Sequence, residues 1–234
     1  MISLKALSAL LTYPSAELQA AVPEIRAALH DEGLFGPHRL TALEPLLQHL
    51  AEDDIYDLQE TYVLLFDRSR SLSLNLFEHL HGESRDRGGA MVSLLETYRD
   101  GGFDLTSSEL PDHLPVLLEF LSTQPLEEAR AILSDAGPIL VALADRLVRR
   151  ESAYAAVVEA LVALAEAPAT SAEALVLLAE PVDNPEDLEA LDAVWSEAQV
   201  MFGPDPNAGC PVSRDLLAKM DAPRANPARP VAAE

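Results

Sequence analysis

Between residues 109 and 120 the chain reads Glu109-Leu110-Pro111-Asp112-His113-Leu114-Pro115-Val116-Leu117-Leu118-Glu119-Phe120. Asp112, His113 and Glu119, two carboxylates and an imidazole, thus fall within about two helical turns of one another. Leu114, Leu117, Leu118 and Leu121 recur at helical spacing and predict a buried stripe. Asp112 suits the N-cap of this helix, where a carboxylate accepts the orphan amide hydrogens of the first turn. Pro115 then falls at the third helical position, where a missing N–H costs nothing. Asp112, Val116 and Glu119 share a neighbouring face, so the two acids are presented together. His113 meets the positive end of the helix dipole, which disfavours its protonation. A charged cap, a titratable ring and an apolar stripe make this helix start a candidate site. The same features describe an ordinary capped core helix with acids facing solvent.

Other constellations are weaker. His79-x-His81 with Glu83 resembles a ligand cluster, but histidines two apart point to different sides of a helix, and zinc sites show fuller ligand sets. No metal site is expected. Ser69, Ser71 and Ser73 lie beside Arg68 and Arg70, a pattern that suits carboxylate binding or plain solvation better than a nucleophile with its base. The pair Asp112 and Glu119 could do acid/base work, yet no substrate-orienting group accompanies it. Neither G-x-x-x-x-G-K-[ST] nor a G-x-G-x-x-G after a strand occurs. No catalytic residue and no bound cofactor are expected.

The bulk properties narrow the partners. Of 234 residues 49% are hydrophobic, enough for a sizeable core, and the formal net charge is -23. That charge argues against nucleic acid, whose phosphates need Lys and Arg, and favours a basic partner. From Glu151 to Ser213 there is no Lys or Arg against twelve Asp and Glu. Apolar helices bordered by acids are what a helix-in-groove receptor for a basic amphipathic segment presents. The single cysteine, Cys210, fits a reducing compartment. Lys5 followed by Ala6–Leu11 mimics a signal peptide, but the run is too short and Tyr13-Pro14 ends it. No run reaches the roughly 18 apolar residues of a membrane span. A cytoplasmic protein without membrane insertion is expected.

The elements that must position these residues are helices almost throughout. Helices are expected over 2–11, 15–32, 37–50 and from Asp53 onward, the last with Ile55, Leu58, Tyr62, Leu65 and Phe66 on one face. Pro23 predicts a kink or a split in the second. A short turn follows over 75–80, and then a helix over 83–100, in which Gly88-Gly89 suggests close approach of another backbone or a kink. Further helices are expected over 126–133, 139–150, 153–166, 171–180 and 185–201. From Gly203 prolines crowd a tail expected to be largely disordered, apart from an amphipathic turn over 215–220. The expected architecture is all-α: a single compact multi-helix domain with its core over 1–170, an acidic helical extension over 171–202 packed on it, and the tail over 203–234.

Three motifs carry a resemblance. Tyr62-Val63-Leu64-Leu65-Phe66-Asp67-Arg68, the run Leu74 to Gly88, and Glu109-Leu110-Pro111-Asp112-His113 with Leu118-Glu119-Phe120 resemble the NarJ family. Leu10-Leu11-Thr12-Tyr13-Pro14 and Val194 to Phe202 fit as well. These are assembly chaperones of respiratory nitrate reductase, within the wider group of redox-enzyme maturation proteins. The resemblance implies an all-helical, non-enzymatic chaperone that binds the basic, helical N-terminal leader of the catalytic molybdenum subunit. It implies that the apo-enzyme is held until molybdenum cofactor insertion, before membrane docking, with molybdenum cofactor biosynthesis proteins as further partners. A different molybdoenzyme of the same group as client, or a generic helical scaffold, are the alternatives. Carried over by position, Tyr62, Phe66, Asp67, Asp112, His113 and Glu119 line or buttress the peptide groove. With them, Leu65, Leu117 and Phe120 are expected to meet the apolar face of the leader.

Overall fold

Leucines three and four residues apart make α1 (Ile2–Leu10) a core helix: Leu4, Leu7 and Leu10 are fully buried. It packs against α2 (Ala16–Glu32) on one side and α7 (Leu114–Thr123) on the other. The computed structural model describes residues 1–179 apart from 82–84 and 107. All of them lie in one compact unit, Met1–Glu186. Among the described residues the chain is all-α, and the one β feature is an isolated bridge between Asn75 and His113. None of the described helices is long and apolar enough to cross a membrane.

The order continues with α3 (Pro37–Glu52) and α4 (Ile55–Tyr62). A π-helical turn (Val63–Asp67) and a 3-10 turn (Arg70–Leu72) follow, then α5 (Leu76–His81) and α6 (Arg85–Asp100). After α7 come α8 (Leu126–Asp135), α9 (Gly137–Arg149), α10 (Ala155–Leu164) and α11 (Ala172–Ala179). The second half is built on α9, which packs against α10 and α11. Its Arg146 is 2% exposed and donates to the carbonyls of Ser71 at 2.8 Å and Leu177 at 2.6 Å. Carbonyl partners offset the cost of burying that charge and tie the 3-10 turn and α11 to the core.

Local signals set most boundaries. The Ser15 hydroxyl accepts from the Leu18 amide at 3.2 Å, and Gly33, at φ 67°, ends α2 in the left-handed region. The split allowed for at Pro23 does not occur: α2 is one helix from Ala16 to Glu32. Leu18, Val22, Ile25 and Leu29 are buried and carry it through the proline, so packing outweighs one lost backbone bond. Asp54 caps α4, its Oδ1 accepting from the Tyr56 amide at 2.8 Å. Beyond Tyr62 the helix takes in an extra residue, with the Arg68 amide donating to the Val63 carbonyl at 3.0 Å. Such π turns recur at functional sites.

Two glycine pairs exchange roles. Gly88 and Gly89 were expected to admit a neighbouring backbone, but a Cβ on either would meet nothing within 4 Å. Gly101 is the close approach: a Cβ there would lie 2.6 Å from Cε2 of Phe120, a ring itself packed against Tyr98 at 4.6 Å. The helix expected over 185–201, the tail from Gly203, Cys210 and the 215–220 turn lie outside the described residues.

Gly101→Ala is therefore expected to destabilise the fold by about 1–3 kcal/mol, because the packed Phe120 ring has to shift. Gly88→Ala, in a helix interior with open space, is expected to stabilise by about 0.5–1 kcal/mol. Urea unfolding of both variants beside the parent checks the pair.

Candidate peptide-binding groove

The site is framed by a backbone exchange rather than by one helix. The Leu76 amide donates to the Asp112 carbonyl at 3.1 Å, and the Leu114 amide to the Leu74 carbonyl at 2.8 Å. These bonds join the start of α5 to the start of α7. Asp112 was expected to cap α7 and to face outward with Glu119; both expectations are corrected. The N-cap of α7 is His113, and Asp112 is fully buried. Its Oδ2 accepts from the Phe77 amide at 2.9 Å, so the carboxylate caps α5 instead. The Asn75–His113 bridge turns the chain so that the neighbouring helix start lies nearer to Asp112 than its own.

Over this frame lies a groove of about 580 Å³. Ser8, Thr12 and Tyr13 line it from α1 and the loop beyond, Tyr62 and Asp67 from α4 and the π turn, and Glu109, His113, Pro115, Val116 and Glu119 from the α7 end. The floor is tied together: the Ser8 hydroxyl donates to the Pro115 carbonyl at 2.7 Å and the Tyr62 hydroxyl to the Leu11 carbonyl at 3.0 Å. Tyr62 also meets Tyr13 edge-on at 5.6 Å, Phe66 at 5.0 Å and Tyr154 at 6.3 Å. Among the lining residues there are three carboxylates and no Lys or Arg.

The electrostatics follow from burial. Desolvation holds His113 below the usual histidine range, against the pull of Glu109, Asp112 and Asp67. Its Nδ1 stands 3.8 Å from Glu109 Oε2, too long for a hydrogen bond, and has no other partner. Asp67 is raised by burial, with His113 opposing and Glu109 reinforcing the shift. Asp112 is raised too, burial outweighing the bond from Phe77 and the charge of Arg87. Burial likewise pushes the Tyr62 hydroxyl up, so it stays a neutral donor.

Of the residues singled out from sequence, the structure brings Tyr62, Asp67, His113 and Glu119 together on this groove. Phe66 borders a narrow lobe of about 110 Å³ beyond it, with Leu74 and Asn75. Leu65 faces the other way, onto a separate cavity of about 340 Å³ against α3 and the α9–α10 corner. Leu117 and Phe120 lie in the core beneath, 3% and 2% exposed, and Asp112 is the cap described above. Ser8, Thr12, Tyr13 and Glu109 were missed as site residues. Thr12 and Tyr13 stand in one of the quoted motifs, but their distance along the chain from Asp112 hid the contact. Among the described residues no three His, Cys, Asp or Glu side chains gather as metal ligands. His79 bonds the Ser73 carbonyl at 2.8 Å, and the His81 side chain lies outside the described set.

Comparison with known proteins gives a consistent family. The family described as nitrate reductase delta subunit matches residues 14–160. The chain is 44% identical over 211 residues to the nitrate reductase molybdenum cofactor assembly chaperone NarJ of Escherichia coli (strain K12), covering 89% of this chain and 88% of that protein. It is 39% identical over 168 residues to the probable chaperone of the same description, NarW, from that strain, covering 72% of each. It is 33% identical over 164 residues to the probable NarJ chaperone of Bacillus subtilis (strain 168), covering 69% of this chain and 86% of that protein.

The capping role of Asp112 has a measurable sign. Its folded pKa lies above the usual 3.8, so the native state binds the proton more tightly, and ionisation on raising the pH past that range costs stability. Asp112→Asn keeps the acceptor for Phe77 and removes the buried charge. Its stability relative to the parent is expected to improve as the pH rises above 3.8 and to level off once the buried carboxyl is ionised. Asp112→Ala also loses the cap, so it is expected to follow the same pH dependence while lying about 1–2 kcal/mol below Asp112→Asn. Unfolding curves at several pH values separate the two.

Proposed function

The chain belongs to the nitrate reductase delta subunit family, and from that premise we propose that it is an assembly chaperone of the nitrate reductase catalytic subunit whose groove captures that subunit's basic N-terminal leader. The carrying observation is the groove itself: a floor of Tyr13, Tyr62, Pro115 and Val116 rimmed by Asp67, Glu109 and Glu119. An amphipathic helix is roughly 10 Å across, so a groove of this size receives its side chains rather than the whole helix. Apolar side chains settle on the floor and displace water, which supplies most of the affinity. Basic side chains meet the rim acids, which set orientation and speed encounter. Leu117 and Phe120 act from beneath, by fixing the shape of the floor, while Phe66 walls the lobe beyond it and Leu65 packs on the far side of the π turn. Held in this way, the apo-subunit stays accessible for molybdenum cofactor insertion and away from the membrane until it is complete. Molybdenum cofactor biosynthesis proteins are the further partners this role calls for.

Calorimetric titration with a synthetic leader peptide of the cognate catalytic subunit tests the reading. Saturable binding of the leader, and none of a scrambled peptide of equal charge, is the expected result; identical behaviour of the two sinks it. Asp67→Asn and Glu119→Gln are each expected to weaken binding by up to about fivefold at low salt, and less at 0.5 M. Asp112→Asn, being buried, is expected to leave the salt dependence unchanged.

Binding is also expected to tighten as the pH rises between 3.8 and 6.5, the ordinary values of a carboxyl and an imidazole. As the pH falls through that window the His113 ring, held below its usual range, gains a positive charge, and Asp67, held above its usual range, loses its negative one. Both changes oppose a cationic ligand. A leader that binds more tightly at the acid end contradicts this arrangement of charges.

A further inference from the structure

The groove does not end at His113. The narrow lobe bordered by Phe66 shares Tyr62, Asp67, Glu109 and His113 with the main groove. It in turn shares Phe66, Asp67, Ser73 and Asn75 with a further lobe of about 280 Å³. This far lobe carries the carboxylates Asp67 and Glu78 against the guanidinium of Arg70. Glu78 is engaged from outside the lobe by Arg87 of α6, whose Nη2 lies 3.4 Å from Glu78 Oε1. That contact is single and long, between side chains 21% and 27% exposed. From Arg87 to Thr97 no residue of α6 is fully buried; Leu94 and Leu95 pack partly buried against the core, and Tyr98 is fully buried.

We infer that the far lobe is the continuation of the leader site, that Glu78 receives a guanidinium of the bound leader there, and that Arg87 occupies this carboxylate in the client-free protein as a built-in competitor. The inference rests on the groove reading above. The shared walls make the three lobes one path, so a peptide seated against Tyr62 and Asp67 that continues past His113 enters the far lobe without leaving the cavity. There the acids outnumber the arginine, and a basic continuation fits the charge. A guanidinium from the leader can replace Arg87 like for like. It gains a position walled by Phe66 and Asn75. The exchange breaks one single, long pair, and from Arg87 to Thr97 no fully buried side chain of α6 has to leave the core. Glu78 thereby becomes a specificity-determining residue: it rewards a leader long enough, and basic enough, to span both ends of the path.

The test is calorimetry with the full synthetic leader peptide on the full chain, at one low salt concentration, for Glu78→Gln, Arg87→Gln, Arg99→Gln and the double variant Glu78→Gln/Arg87→Gln. Arg99, exposed near the end of the same helix, reports the effect of removing a positive charge without freeing a carboxylate. Expected results are about fivefold weaker binding for Glu78→Gln, about threefold tighter for Arg87→Gln, and a smaller gain for Arg99→Gln. In the double variant the gain from losing Arg87 falls to the Arg99 level, because no carboxylate is left to free. Equal gains for Arg87→Gln and Arg99→Gln overturn the competitor role. Unchanged affinity for Glu78→Gln, with the parent binding normally, overturns the far lobe and leaves the main groove standing. Failure of the parent to bind the leader overturns the groove reading itself. Thermal unfolding of each variant accompanies the titrations, and where Glu78→Gln is unstable the comparison of Arg87→Gln with Arg99→Gln decides.

Discussion

The bonds that Asp112 makes across to residues 74–77 are the constraint on which the groove depends. Its carbonyl accepts from Leu76 and its carboxylate from Phe77, while the Leu74 carbonyl accepts from Leu114 two residues further on. Three short contacts therefore fix where α5 and α7 begin relative to each other. Within a few residues of them stand Glu109 and His113 of the groove on one segment, and Asn75 and Glu78 of the further lobes on the other. The carboxylate has no solvent exposure and one oxygen without a partner, an arrangement that burial makes costly. Its value is positional, because a helix cap made from a distant segment locks two segments at once.

Tyr62 plays the corresponding part on the opposite wall. Its hydroxyl holds the Leu11 carbonyl at the end of α1, and its ring touches Tyr13, Phe66 and Tyr154. Directly after it the helix widens into the π turn, which sends Leu65 toward the cavity beside α3 and Asp67 toward the groove. The apolar residues that shape the site are thus not the residues that meet solvent in it. Leu117 and Phe120 form the ground on which Val116 and Glu119 stand, one side of α7 buried and the next side open.

Much of this was legible from the order of residues. Helical spacing predicted the all-α fold and nearly every described helix, because each carries an apolar stripe and α2, α4 and α11 add a side-chain N-cap. It failed where the deciding contact is long in sequence. Asp112 followed by an apolar run reads as the cap of that run, and only the bridge to Asn75 shows that it caps α5. Pro23 reads as a break, yet four buried neighbours hold the helix through it. Gly88-Gly89 reads as a contact, yet it faces open space, while Gly101, which reads as a mere helix end, lies under the Phe120 ring. In each case local preference was outvoted by packing with residues that no spacing rule reaches. Ser8 and Thr12 entered the site by the same route, through the packing of α1 on α7.

A strongly acidic chain attracts any basic peptide, so charge alone does not explain selectivity. The Debye length at physiological salt is about 8 Å, so the overall field hastens encounter but discriminates poorly between one basic segment and another. Discrimination has to come from where the acids sit relative to the apolar floor. Asp67, Glu109 and Glu119 line the same groove as Tyr62 and Val116, so on the proposed reading a ligand meets the acids and the apolar floor together. A peptide with the right charge but the wrong apolar spacing then loses either the floor or the rim. His113 sharpens this coupling. Desolvation keeps its ring neutral near neutrality, which leaves the acids around it uncompensated and turned toward the ligand. The helix start with its suspicious concentration of charge is thereby divided by burial into two parts, a hidden carboxylate that builds the site and exposed ones that use it.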